Sequence, residues 1–66
     1  MRMSMLYDIL NICKKGNLIG TGYSNVNLTY KNREELNVDK KLAEKAGFSC
    51  EMNNALLRVI VVEKDY

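Results

Sequence analysis

The residues that most often carry enzyme chemistry are sparse in this sequence. Histidine, the side chain that normally titrates near neutral pH, is absent, so acid/base catalysis and most transition-metal sites lose their usual first residue. Cys13 and Cys50 have no neighbouring histidine to activate them and no C-x-x-C spacing, so we expect two buried thiols in a reducing compartment. We therefore expect neither an enzyme nor a metal or cofactor site.

Two further patterns are similar to functional motifs but lack the spacing that those motifs require. The stretch from Gly16 to Gly22 has the spacing of neither phosphate-binding glycine loop, so turn glycines explain it better. Glu34 and Glu35 are adjacent, and neighbouring residues on a helix point about 100° apart. We interpret them as exposed charges rather than a catalytic pair, which leaves binding without catalysis.

Charge is distributed unevenly along the chain, although the formal net charge is only +2. Residues 1–33 contain five basic residues and one acidic residue, whereas residues 34–66 contain five basic and seven acidic residues. Lys31, Asn32 and Arg33 would occupy the first turn of a helix, where cationic side chains and free backbone N–H groups can face an anion. An ordinary solvated helix start is the alternative interpretation.

The N-terminal helix is the clearest element in the sequence. Apolar residues recur every three or four positions across residues 3–15, which predicts a helix with one apolar stripe. Gly16 can adopt the left-handed conformation that ends a helix. Residues 17–30 are ambiguous, because glycine and asparagine weaken a helix while Val26 and Leu28 alternate as in a strand. A strand after a turn and a short irregular helix both remain open for this segment.

A second helix is predicted over residues 31–46, where apolar positions return among many charged ones. Thr29 is a candidate N-cap for this helix. Gly47 is a natural stop at its other end.

The last part of the chain is rich in β-branched and apolar residues, which favours strands. Asparagine tolerates a positive φ angle, so Asn53 and Asn54 predict a tight turn in a β-hairpin over residues 48–63. The competing interpretation is a single helix over residues 49–64.

The segments ILNICKKG at 9–16, NLTYK at 27–31 and EKAGF at 44–48, followed by the hairpin at 48–63, resemble parts of small archaeal-type winged helix-turn-helix regulators. The resemblance implies an α+β, winged-helix-like fold with helices before a C-terminal β-hairpin. It also implies a transcriptional regulator that binds double-stranded DNA as a homodimer. The nucleic-acid-binding residues implied by the resemblance are Thr29, Lys31, Asn32 and Arg33 in the major groove, and Lys14, Lys15, Asn53 and Asn54 on phosphates.

A different outcome for the middle segment changes the hypothesis. If residues 24–30 form a strand, the element order becomes α-β-α-β-β, a small sheet with helices on one face. The alternative function is then a protein-binding module, an inhibitor or accessory subunit that docks through a strand edge or an apolar face. The apolar residues 59–62 would offer such an edge.

Length and hydropathy set the remaining expectations. A chain of 66 residues makes one domain, residues 1–66, that buries only about 60% of the surface its unfolded chain exposes. A partner or a second copy is therefore expected. The longest apolar run is far shorter than the roughly 20 residues of a membrane span, and the N-terminus lacks a signal-peptide pattern. We expect a cytoplasmic protein with no membrane partner.

Overall fold

The computed structural model describes residues 3–63, which form an α+β fold of two helices and a four-stranded antiparallel sheet. In chain order the elements are α1 (Met3–Ile12), β1 (Asn17–Thr21), β2 (Asn25–Thr29), α2 (Arg33–Lys45), β3 (Ser49–Asn53) and β4 (Arg58–Val62). The strand order across the sheet is β1-β2-β4-β3, so two hairpins meet through their second strands. Neither of the helices in this part of the chain is long and apolar enough to cross a membrane.

The N-terminal helix is confirmed, but it is shorter than the predicted span of residues 3–15. It ends at Ile12, and the N–H of Cys13 makes one more helical bond, to the carbonyl oxygen of Ile9 at 2.7 Å. The prediction that Gly16 ends the helix in a left-handed conformation is wrong. Within residues 3–63, Gly47 is the glycine with a positive φ angle, 101°, and it lies just beyond α2, as predicted.

The glycine-bearing middle segment forms a β-hairpin, β1 and β2, and not a short helix. Val26 and Leu28 alternate with polar residues, so one face of β2 is buried and the other is only half-buried. The winged-helix arrangement needs a helix in this segment and is therefore not confirmed. The alternative order α-β-α-β-β is closer to the structure but omits β1.

The second helix begins two residues later than predicted. Asn32, not Thr29, is its N-cap, because the Asn32 Oδ1 accepts a hydrogen bond from the N–H of Glu35 at 2.9 Å. Thr29 is the last residue of β2, where it pairs with β1 and β4. Thr29 has the local propensity of a helix N-cap, but strand pairing places it in β2 instead.

The C-terminal hairpin is confirmed as β3 and β4, and the single helix over residues 49–64 is wrong. Its turn uses residues 54–57, and the Asn53 Oδ1 accepts a hydrogen bond from the N–H of Leu56 at 3.1 Å. The positive φ angle expected at Asn53 or Asn54 occurs instead at Leu57, whose φ angle of 51° is a strained value for an apolar residue. The prediction that residues 59–62 offer a strand edge is wrong, because β4 lies between β2 and β3.

Both helices pack on the same face of the sheet. The register places Val26 opposite Val61 and Leu28 opposite Val59, so the buried residues of the two central strands share that face. The core residues are Met5, Ile9, Cys13, Val26, Leu28, Tyr30, Leu36, Ala43, Val59 and Val61. In the part of the chain that the structure describes, no helix covers the second face, which we call the open face.

Candidate functional site

The register of the sheet brings all eight predicted nucleic-acid-binding residues to one end of the molecule. Thr29, at the end of β2, pairs with Asn17 at the start of β1 and with Arg58 at the start of β4. Arg58 in turn pairs with Asn53 at the end of β3. The three loops that join α1 to β1, β2 to α2 and β3 to β4 therefore all lie at this end of the sheet.

Exposed cationic side chains are concentrated in and beside these loops. We call this set the basic end, and its members are Lys14, Lys15, Lys31, Arg33 and Arg58. Two carboxylates, Glu34 and Glu35, lie at the same end, in the first turn of α2. Five cations against these two carboxylates and the buried Asp39, which binds the loop after α1, leave this end positive, and its positive charges are carried by exposed side chains.

The basic end is wide enough to follow a nucleic-acid backbone. Its loops extend from the edge strand β1 to the edge strand β3, and three spacings between strands amount to about 14 Å. One strand of a duplex carries one phosphate per about 3.4 Å of helix axis, so this width matches about four phosphates when the row of loops lies parallel to that axis.

The polar residues at this end mainly fix loop conformation. The side-chain oxygens of Asn32 and Asn53 accept backbone hydrogen bonds, one at the start of α2 and one in the β3–β4 turn. Thr29 is half-buried on the open face and precedes α2, so it does not belong to a recognition helix. Asn54 is exposed in the turn. The lysine and arginine side chains are thus the groups most available to a ligand.

Asp39, a residue that the sequence analysis missed, anchors the basic end from inside the protein. Its carboxylate is 1% exposed, and Oδ2 accepts hydrogen bonds from the N–H groups of Lys15 at 3.1 Å and Gly16 at 3.0 Å. The loop after α1 is therefore tied to the middle of α2. Helical spacing could have indicated this role, because Leu36, Asp39 and Ala43 lie on one face of α2.

Cys13 and Tyr30 lie beside Asp39 in the core. The Cys13 thiol donates to the backbone carbonyl of Asp39 at 3.6 Å, whereas the buried Tyr30 hydroxyl meets no partner with hydrogen-bond geometry among the described residues. Burial, and then the charge of Asp39, raise the pKa of Cys13 to about 11. Burial also raises the pKa of Tyr30, with a further contribution from Asp39. A thiol this weakly acidic is a poor nucleophile.

The free cysteines follow the expected pattern only in part. Cys13 is buried, but Cys50 is half-buried at the edge of the core, where its thiol lies 3.9 Å from the backbone oxygen of Lys40. Burial, and then the charge of Glu44, raise the pKa of Cys50 as well. We interpret both thiols as packing groups.

These pKa shifts predict a loss of stability in alkali. A group whose pKa is higher in the folded state stabilises the folded protein, and this contribution is complete at pH values below the unfolded pKa, which is 9.0 for Cys13. The contribution is then lost as pH rises through the folded pKa of about 11. We expect urea unfolding midpoints to stay level near pH 8 and to fall between pH 9 and 11. Cys13→Ser should reduce the fall by on the order of 2 kcal/mol.

The matched control for this prediction is Cys50→Ser, which removes the less buried thiol and should reduce the alkaline fall by less. Equal alkaline curves for the natural protein and Cys13→Ser would contradict the prediction. Circular dichroism at each pH provides the measurement.

A groove crosses the open face beside the basic end. It has a volume of about 450 Å³, and its lining includes Ile19, Asn27, Glu51, Leu56, Arg58 and Ile60. A β-bulge between Leu18 and Gly20 leaves Ile19 unpaired at one border, and bulges redirect side chains in this way. No local sequence pattern indicates this groove, because its walls come from both hairpins.

Within residues 3–63, no cluster of three histidine, cysteine or acidic side chains could hold a metal ion. Comparison with known protein families, curated proteins and solved structures finds no match to this chain. The basic end and the open face are therefore interpreted from their own geometry.

Proposed function

We propose that this protein is a small non-enzymatic nucleic-acid-binding protein that contacts the phosphate backbone of duplex DNA through the basic end, without the recognition helix of a winged helix-turn-helix regulator. The observation that carries the proposal is the convergence of five exposed cationic residues on one end of the sheet, three of them in two loops and the other two at the first residues of α2 and β4. Phosphate contacts of this kind supply most of the affinity of non-specific binding.

The geometry favours backbone contacts over base recognition. Arg33, as the first residue of α2, is the one member of the basic end that belongs to a helix, and the other four lie in loops or at a strand end. Glu34 and Glu35 in the first turn of α2 also oppose close approach of an anion to that helix N-terminus. We therefore expect little dependence of affinity on DNA sequence.

The positions of the aromatic residues favour duplex over single-stranded nucleic acid. Proteins that bind single strands stack bases on exposed aromatic rings. Near the basic end, Tyr30 is buried. The exposed Tyr23 lies in the β1–β2 turn at the opposite end of the sheet, and the exposed Tyr7 lies in the middle of α1 rather than in the loops of the basic end. A labelled duplex should thus bind at least as tightly as a single strand of the same length.

The test is fluorescence anisotropy with a labelled duplex over a series of salt concentrations. Each phosphate contact contributes about −0.9 to the slope of log affinity against log salt, so the basic end predicts a slope of about −4. Lys31→Glu combined with Arg33→Glu should reduce the slope by about 2 and weaken binding at least about tenfold. The new acidic groups lie at the start of α2, where they favour the helix, so folding should be preserved.

The matched control is Lys41→Glu combined with Lys45→Glu, which makes the same charge change near the other end of α2. This pair should weaken binding less and leave most of the salt dependence. Equal losses from the two pairs, or no binding even in low salt, would refute the proposal. Circular dichroism confirms that each variant is folded.

A protein-binding module is the second candidate function, and the edge strand β3 favours it. β3 pairs with β4 along five residues without a bulge, and its other side has no strand partner within residues 3–63. Such an edge can accept a strand from another protein. Heparin chromatography distinguishes the candidates: salt-sensitive retention supports nucleic-acid binding, whereas flow-through supports a protein partner.

A further inference from the structure

We propose that two copies of this chain associate face to face through the open face of the sheet, with the grooves of the two copies opposed. This surface combines apolar and polar side chains. Ile19 is 48% exposed and Leu56 is 54% exposed at the two borders of the groove, and Ile60 is half-buried between them. Covering exposed apolar area of this kind with a second surface removes it from water, which is favourable in free energy.

The groove contains one acidic and one basic residue that do not pair with each other. Glu51 lies opposite Ile60, and Arg58 lies opposite Asn53, so the two charged residues form a diagonal pair on neighbouring strands. Diagonal backbone positions are about 7 to 8 Å apart. Within residues 3–63 neither of the two forms an ion pair, so both charges remain available to a covering surface.

A second copy of this chain supplies the complementary charges. In a two-fold interface, residue i of one copy meets residue j of the other, and j meets i. One cell of the β3–β4 ladder, about 4.8 Å across the strands and about 6.8 Å along them, is formed by Glu51, Ile60, Asn53 and Arg58. An axis that lies in the interface close to the line from Ile60 to Asn53 therefore brings Glu51 of each copy near Arg58 of the other, and the length of the two side chains covers the remaining offset. Each Arg58 then faces Glu51 of the second copy, and the two Ile60 side chains meet on the axis.

Two polar residues of the open face keep a hydrogen bond to each other when a second copy covers this face. The Asn27 amide donates a hydrogen bond to Asn25 Oδ1 at 3.2 Å, so these two side chains already satisfy part of each other's hydrogen bonding. The ion pairs would mainly set the register of the two copies, because their desolvation offsets much of their attraction. Affinity would come from the apolar contacts.

The size of the face predicts a weak dimer. Four strands about 4.8 Å apart and five residues long cover roughly 19 by 17 Å of flat area, well below the approximately 800 Å² per partner of a standard interface. We therefore expect a dissociation constant of micromolar order or weaker.

The experiment is sedimentation velocity of the full chain across a range of concentrations, without nucleic acid. The natural protein should shift from monomer to dimer as its concentration rises. Arg58→Glu and Glu51→Arg each oppose like charges across the axis and should each weaken the dimer at least about tenfold. The combined variant, Arg58→Glu with Glu51→Arg, should restore dimerisation to within a few-fold of the natural protein.

Lys41→Glu is the matched control, since it changes the same charge on the helix layer and should leave the dimer unchanged. The proposal is overturned if the natural protein is a monomer at every concentration. It is also overturned if the dimer is insensitive to the single charge changes, or if the combined variant remains monomeric while circular dichroism shows that it is folded. Because DNA is absent, the result is independent of the proposed function.

Discussion

Asp39→Ala is expected to lower the free energy of unfolding by about 2 to 4 kcal/mol, because it removes a charged acceptor of two hydrogen bonds inside the protein. Oδ2 of Asp39 accepts from the N–H groups of Lys15 and Gly16, and both donors would lose their partner. The loop between α1 and β1 would then be free to move away from α2. Urea denaturation followed by circular dichroism measures the loss.

Two further variants make this prediction specific. Asp39→Asn keeps the shape and one acceptor oxygen, so it should cost less than the alanine change. Asp8→Ala removes an exposed acid from α1 and should stay within about 0.5 kcal/mol of the natural protein. A loss below about 1 kcal/mol for Asp39→Ala would mean that the carboxylate does not hold this loop.

Gly16→Ala is expected to lower the free energy of unfolding by about 1 to 3 kcal/mol through steric overlap in the core. A Cβ atom at this position would lie 2.7 Å from both Cζ and Oη of Tyr30, well inside an ordinary contact of about 3.5 Å. Tyr30 is 5% exposed and packed in the core, so its ring has little room to move. The same urea experiment tests the change.

Gly20→Ala is the matched control, because a Cβ at Gly20 would meet no atom within 4 Å. That change should be neutral or stabilising by up to about 1 kcal/mol, since alanine restricts the unfolded chain. In a Tyr30→Leu background, Gly16→Ala should cost clearly less than in the natural protein. An unchanged cost there would contradict the proposed clash.

The two helices and the second hairpin were predictable because their signals are local. Met5, Ile9 and Cys13 follow helical spacing, and Asn53 and the β-branched run after it indicate the turn and a strand. Such patterns depend only on near neighbours along the chain.

The strand β1 was not predictable in the same way. Leu18 and Ile19 are adjacent apolar residues followed by Gly20, so the segment lacks the alternation of a strand. Its pairing with β2 includes a register shift at exactly this position. Pairing with another strand therefore specifies β1 more strongly than its own composition does.

Four of the five members of the basic end were among the residues named from the sequence, but their arrangement was not predictable. The eight residues implied by the winged-helix resemblance do lie at one end of the protein, yet strand register and loops bring them there. Arg58 gains its position from strand pairing with residues far along the chain. The burial of Asp39 follows helical spacing on α2, but its hydrogen-bond partners Lys15 and Gly16 lie more than 20 residues away in the sequence.

Residue types and local spacing were enough to predict two helices, a C-terminal hairpin and an excess of positive charge in the first half of the chain. Tertiary structure alone decided that the middle segment is extended, that three loops share one end and that one sheet face is open. The reason is that β2 pairs with β4 across the intervening helix α2. Contacts between such distant segments depend on the packing of the whole core, which no local pattern encodes.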